Sequence, residues 1–174
     1  PSRPGSSTLT FPNGDVVTVT AVANYSPARV VPFEFVPING TVLPLMCDDC
    51  STQITSPFPI RFGGANPGST SLFVGSNGII SFTAPINTFT NQPLPSTVGQ
   101  TILAPHWDDL FPPTGGTIRF EAVGTAPSRQ LVIEWRAIPH ISVGNSAATF
   151  QVVFFENSPN IRFNYSDVIF GSPA

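Results

Sequence analysis

Two adjacent carboxylates follow a histidine and a tryptophan in the stretch His106-Trp107-Asp108-Asp109. Carboxylate and backbone carbonyl oxygens are the hard ligands that calcium prefers. These four residues are therefore a candidate ligand-binding site, with Asp108 and Asp109 as calcium ligands, although the spacing is not that of an EF-hand. The alternative is that Trp107 packs over one end of the fold and the aspartates cap backbone amides in a turn.

Both cysteines of the chain lie in Cys47-Asp48-Asp49-Cys50, with two acids between the sulfurs. A thioredoxin-like redox site needs a stabilised thiolate at the start of a helix, and the two acids oppose a thiolate. A zinc site needs a second pair of ligands, but His106 and His140 are far apart and lack ligand spacing. A Cys47–Cys50 disulfide closing a small loop is the favoured interpretation. The two acids are also a second candidate for a cation site.

The carboxylates of Glu121 and Glu134 are the pair that glycoside hydrolysis would require, because both fall on neighbouring predicted strands. Three nearby arginines are ordinary ion-pair partners for them: Arg119, Arg136 and Arg162. The nucleophile motif Gly-x-Ser-x-Gly is absent. We therefore expect a non-catalytic domain, with a glycoside hydrolase as the enzymatic alternative and no cofactor other than calcium.

Carbohydrate binding is a second functional class, because an amphipathic aromatic ring exposed on an all-β module can stack on a sugar. The candidate rings are Trp107, Trp135, Tyr25 and Tyr165. They are scattered through the sequence, and Trp135 lies in a strand whose pattern is typical of a buried one. The third class is a purely structural role or contact with a protein, through an exposed edge strand in the Pro-rich first fifty residues.

The composition predicts a single domain with one hydrophobic core, since 41% of the 174 residues are apolar. Only 10% are charged, against about a quarter in typical soluble domains. All seven basic residues are arginines, and with ten acidic residues the net charge is −3. No basic stripe is available to follow phosphates, which argues against a nucleic-acid partner.

The same features predict where the protein is found. No apolar run approaches the roughly 18 residues that a membrane-spanning helix needs, and residues 1–7 lack the charged and apolar regions of a signal peptide. The low charge, the absence of lysine and the cysteine pair predict an extracellular or cell-surface location.

Short strands separated by turns account for most of the chain, because 20 prolines and 14 glycines interrupt it. Asn13-Gly14 and Asn77-Gly78 predict tight hairpin turns. Apolar residues alternate with polar ones in 117–121 and 160–165, whereas 131–133 and 152–155 are continuously apolar. Alternation indicates one buried face, and a continuous run indicates cover on both faces.

The predicted fold is therefore all-β, an antiparallel, jelly-roll-like β-sandwich with an irregular Pro-rich N-terminal hairpin extension. We expect one domain over residues 1–174, with the extension in residues 1–50 and the core sandwich in residues 58–170. Within the extension, residues 30–36 and 41–45 are short extended pieces interrupted by proline, which indicates edge strands or irregular coil.

Five segments carry a family resemblance: 58–64, 72–82, 102–110, 131–135 and 150–156. The most specific are the Val-x-Ser-Asn-Gly turn at 74–78 and Pro-x-Trp-Asp-Asp-Leu at 105–110. Over residues 58–170 the chain resembles the β-sandwich modules of large secreted bacterial proteins and is loosely similar to nidogen-type extracellular domains. The resemblance implies a non-catalytic accessory or adhesion module, covalently linked to neighbouring domains, whose partner is a protein or glycan surface.

Overall fold

The computed structural model describes residues 30–62, 68–94, 101–143 and 146–169, together with the backbone of two strands at 5–10 and 16–21. The strands are β1 Gly5–Thr10, β2 Val16–Ala21, β3 Thr41–Val42, β4 Ser51–Ile60, β5 Ser69–Gly75, β6 Ile80–Ser81, β7 Ile102–Leu103, β8 Thr117–Val123, β9 Gln130–Pro139, β10 Ala147–Phe155 and β11 Ile161–Asp167. A single-turn 3-10 helix covers Pro112–Thr114. No helix among the described residues is long and apolar enough to cross a membrane.

Two antiparallel sheets pack face to face. One has the strand order β11-β10-β9-β8-β3 and the other β4-β5-β6-β7. Consecutive strands are neighbours in both sheets, except that β3 pairs with β8. The main core contains side chains from both, such as Leu72 and Val74 from one sheet and Ile133 and Phe150 from the other. The predicted all-β sandwich is confirmed.

Trp135 of β9 joins the two sheets. Its indole Nε1 donates a hydrogen bond of 3.1 Å to the carbonyl oxygen of Gly75, at the end of β5 in the opposite sheet. Its ring stacks on Phe150 with centroids 4.9 Å apart and an interplanar angle of 11°. Because Trp135 is fully buried, this bond satisfies an indole that water cannot reach.

Residues 34–39, which we call the strap, cross the outer face of the five-stranded sheet. The side-chain amide of Gln151 donates to the carbonyl oxygen of Val36 at 2.7 Å and accepts from its N–H at 3.1 Å. Asn164 donates to the carbonyl oxygen of Glu34 at 2.7 Å. The sheet's side chains thus provide the hydrogen bonds that the strap backbone lacks as coil.

The strap also covers a second, smaller apolar cluster. Ile38 packs there against Val132 of β9 and Val153 of β10. These two strands are therefore buried on both faces, as their continuous apolar runs predict. The buried carboxylate of Glu134 lies under the same strap, where it accepts a hydrogen bond from Gln151 and pairs with Arg136. A charge so far from water requires such partners.

The N-terminal fifty residues contribute to the fold in two ways. β1 and β2 form the predicted hairpin as a separate two-stranded sheet, paired from Gly5↔Ala21 to Thr10↔Val16; its turn at 11–15 lies outside the described residues. Further along, Leu43 and Leu45 are buried in the main core. The sequence predicts that the sandwich begins at residue 58, whereas strand β4 begins at Ser51.

The predicted Asn77-Gly78 turn links β5 to β6. Gly78 has a φ of +70°, and a Cβ built on it would lie 1.9 Å from the carbonyl oxygen of His106. Glycine adopts this backbone conformation without strain, and only its lack of a side chain allows the 105–110 segment to approach so closely.

We expect Gly78→Ala to lower the free energy of unfolding by at least about 2 kcal/mol, because it combines backbone strain with a backbone clash. Gly115→Ala is the control: its Cβ would lie 3.6 Å from the nearest atom, and its backbone is extended. Denaturant unfolding of both variants measures the difference. Equal stabilities would contradict the described turn.

Gln151→Leu should cost about 3 kcal/mol of stability, because it leaves both half-buried backbone groups of Val36 and the buried carboxylate of Glu134 without this partner. Gln53→Leu is the matched control, since Gln53 is exposed on β4 and its side-chain amide donates to the hydroxyl of Ser71. Hydrogen exchange at the Val36 amide provides a local measurement. Unchanged protection in Gln151→Leu would mean that Gln151 does not hold the strap.

Candidate functional site

The structure brings one acid of the first predicted cation site together with both acids of the second. One carboxylate oxygen from each of Asp48, Asp49 and Asp109 lies within 4.8 Å of the others. Asn77 holds the two loops together: its Nδ2 donates to Asp49 Oδ1 at 2.7 Å, and its Oδ1 accepts from the backbone N–H of Leu110 at 3.0 Å. We call this group of three aspartates the acidic end.

The loop that carries Asp48 and Asp49 is closed by the Cys47–Cys50 disulfide, as predicted. Ser76, fully buried, fixes this loop to the β5–β6 turn. Its backbone N–H donates to the Cys50 carbonyl at 2.8 Å, and its hydroxyl accepts from the Cys50 N–H at 3.1 Å and donates to the Asp48 carbonyl. The carboxylates are therefore positioned by a covalent bond and by a buried hydroxyl.

Burial, followed by neighbouring negative charge, raises the pKa of Asp48 and of Asp109. Burial and, after it, the charge of Asp49 raise the pKa of Asp48. Burial raises the pKa of Asp109 as well, followed by the charges of Asp48 and Asp49. Moreover, Asp48 Oδ1 is buried without a hydrogen-bond partner among the described residues. For Asp109, the charge of His140 opposes the rise in pKa.

Asp108 lies outside this group of carboxylates. Its Oδ1 accepts a hydrogen bond of 2.9 Å from the backbone N–H of Asp109 and lies 3.5 Å from His140 Nε2. The Nδ1 of His140 accepts from the N–H of Ser142 at 3.0 Å. Asp108 thus makes the turn-capping contact that was the alternative to calcium binding.

His106 and Trp107 support the loop from the sandwich side. The Trp107 indole is buried, donates from Nε1 to the Thr88 carbonyl at 3.0 Å and packs with Ile79 and Ile86. The ring of His106 lies 5.3 Å from that of Phe150, and burial lowers the pKa of His106. Neither ring extends into the acidic end as a ligand group in the described contacts.

The remaining sequence candidates are held by ordinary contacts. Glu134 is buried under the strap, and Glu121 accepts a hydrogen bond from the Asn39 N–H at 2.8 Å. Among the candidate sugar-stacking rings, Trp135 is fully buried and the Tyr165 hydroxyl donates to the Pro105 carbonyl at 2.7 Å. Tyr25 lies outside the described residues. The Tyr165 ring is nonetheless 41% exposed, and the carbohydrate hypothesis stays a prediction.

Sequence reasoning did not identify Ser76 and Asn77 as part of this site. Both belong to a turn that was predicted only as a hairpin connection, yet both are buried, with relative exposures of 0% and 1%. A serine and an asparagine adjacent in a tight turn are signals of capping, but they do not indicate which loops the side chains reach.

With calcium removed by chelator, Asp109→Asn should melt at a higher temperature than the wild type at pH 7. The raised folded pKa of Asp109 means that its favourable contribution is complete below the unfolded pKa and is lost as pH rises through the folded pKa. The advantage of the variant should therefore shrink as the pH falls toward about 4. Asp167→Asn, at an exposed position of β11, is the control. Equal changes in melting temperature for the two variants would contradict repulsion specific to the acidic end.

Comparison with known proteins identifies the family. The family model described as NIDO related matches residues 24–172. Alpha-tectorin of Mus musculus and alpha-tectorin of Homo sapiens are each 33% identical to this chain over 82 residues, which is 47% of this chain and 4% of the relative. No solved structure matches. The nidogen-type resemblance is thus confirmed and extends into the strap, whereas the bacterial setting stays a prediction. The chain belongs to the NIDO-related family.

Proposed function

We propose that this chain is a non-catalytic extracellular module of a larger secreted protein, where it supports neighbouring domains or contacts a protein surface, and that its acidic end binds calcium. Family membership and the disulfide support the extracellular part of this proposal. The chain spans only 4% of the length of the alpha-tectorins that it matches, which is consistent with one module among several.

The observation that carries the calcium proposal is the convergence of Asp48, Asp49 and Asp109 from two loops 60 residues apart in the sequence. The three carboxylates cannot easily move apart, because the disulfide and the hydrogen bonds of Asn77 hold the two loops together. The partnerless Asp48 Oδ1 supports the same idea, since it is a buried oxygen that still requires a positive charge or a donor.

The chemistry of the donors favours calcium over other ions. The group consists of carboxylate oxygens, and both nearby cysteine sulfurs are in a disulfide and are not thiolates. Soft ions such as zinc prefer thiolate and imidazole ligands, whereas hard oxygen ligands suit calcium and magnesium. Three carboxylates with waters completing the shell meet the flexible geometry of calcium, which extracellular modules bind with dissociation constants of about 0.1 to 1 mM.

Thermal unfolding in 1 mM calcium and in EDTA tests the proposal. With a dissociation constant of about 0.1 mM, calcium stabilises the folded state by about 1.4 kcal/mol, which corresponds to a rise in melting temperature of about 3 to 6 °C. Asp109→Asn should remove the calcium response. Asp108→Asn should keep it, because Asp108 faces His140 and not the acidic end.

Two outcomes would overturn this assignment. A wild-type protein that melts at the same temperature in both buffers does not bind calcium with useful affinity. A response that persists in Asp109→Asn but disappears in Asp108→Asn would move the ion to a different set of oxygens. Magnesium at the same concentration is a useful comparison, because its stricter octahedral geometry predicts a smaller shift.

A further inference from the structure

The edges of the two sheets differ in their protection against pairing with another strand. Edge strands β3 and β7 have two residues each. Edge strand β4 is long but contains Pro57 and Pro59, which cannot donate to a strand ladder. β11 has seven residues and no proline. Of its two charged residues, Arg162 is paired with Glu34 and Asp167 is the last residue of the strand. Among the described strands of the two large sheets, β11 is the long edge that no proline interrupts.

Apolar side chains flank this edge on the inner side of the sheet. Phe163 and Tyr165 of β11 are 38% and 41% exposed, although Tyr165 lies near the core ring of Phe150. Their rings form an edge-to-face pair with centroids 6.5 Å apart. An exposed aromatic pair along an edge that no described strand covers is a surface that an added strand can cover.

The chain that precedes the strap flanks the same edge on the outer side. The strap contacts β8 through Asn39 and Glu121 and reaches β11 through Glu34, whose carbonyl binds Asn164. Residues 30–33 precede Glu34 directly in the chain, and Glu34 also pairs with Arg162 of β11. Val30 and Phe33 are 101% and 64% exposed, so they leave apolar surface uncovered there.

The N-terminal hairpin also has strand edges without protection against pairing. β1 and β2 pair only with each other in the described structure, and an isolated two-stranded hairpin is marginally stable in water. Its strands, GSSTLT and VVTVTA, carry no charge, and β2 is rich in valine and threonine. Neither proline nor charge protects the edges of this hairpin.

We propose that the edge of β11 accepts the N-terminal hairpin of a second copy of this chain, which extends the five-stranded sheet. The donor hairpin and the acceptor edge are different surfaces of one molecule, so the contact is head-to-tail and continues into open chains of copies. Main-chain hydrogen bonds provide affinity, and the exposed rings provide apolar contact. This interaction goes beyond the proposed function and does not involve the acidic end.

Sedimentation velocity of the full chain over a range of concentrations tests the proposal. The mean mass should rise above that of the monomer as concentration increases. Phe163→Lys, which places a charge on the acceptor edge, and Thr18→Pro, which breaks the donor strand, should each remain monomeric. Thr55→Lys on edge strand β4 is the matched control and should associate like the wild type. Ser166→Lys, also exposed on β11, replaces Phe163→Lys if that variant does not fold.

Mixing the two defective variants provides the sharpest measurement. Phe163→Lys keeps an intact hairpin and Thr18→Pro keeps an intact edge, so an equimolar mixture should form a one-to-one dimer that neither variant forms alone. Such complementation requires a head-to-tail contact between different surfaces.

Several outcomes would overturn the proposal. The first is a wild type that stays monomeric at all concentrations. If hydrogen exchange in β11 of this monomer is slow and Thr18→Pro accelerates it, the edge is covered by the hairpin of the same copy. Association that Phe163→Lys removes but Thr18→Pro preserves would indicate pairing between two β11 strands. Association that neither substitution alters would place the contact elsewhere.

Discussion

The hydrogen bond from the Trp135 indole to the Gly75 carbonyl fixes the relation between the two sheets, and the rest of the structure depends on it. A large indole inside a core must both fill volume and satisfy its N–H. By bonding the last residue of β5, Trp135 sets where the following turn begins. Ser76, Asn77 and Gly78 are that turn, so the position of the acidic end follows from a bond made inside the core.

The outer face of the five-stranded sheet obeys a different constraint, the pairing of buried polar groups. Glu134, Gln151 and Asn164 lie on adjacent strands β9, β10 and β11, and all three are buried. Without the strap, these groups would face water on an open sheet. With the strap, Gln151 and Asn164 bind its backbone. These polar side chains give the strap backbone the hydrogen bonds that a neighbouring strand would give it in a sheet.

Local patterns were sufficient to predict much of the fold. Alternating and continuous apolar runs indicated the faces of the strands, and the Asn-Gly pair indicated the β5–β6 turn. The disulfide was predictable because only two cysteines exist, at a spacing that closes a small loop. The strap was not predictable, because its regular contacts are made by side chains of distant strands. Neither was the meeting of Asp49 with Asp109, which depends on Asn77 reaching two loops at once.

The acidic end and the β11 edge respond to different conditions. Repulsion among Asp48, Asp49 and Asp109 cannot be relieved by separation while the disulfide and Asn77 hold the loops, so protons or cations must reduce it. That response depends on the ionic composition of the medium and not on protein concentration. The contact proposed at β11 uses main-chain hydrogen bonds and the exposed rings of Phe163 and Tyr165, so its coverage depends mainly on the concentration of a partner strand. The two proposed interactions therefore depend on two independent variables, the cation concentration and the protein concentration.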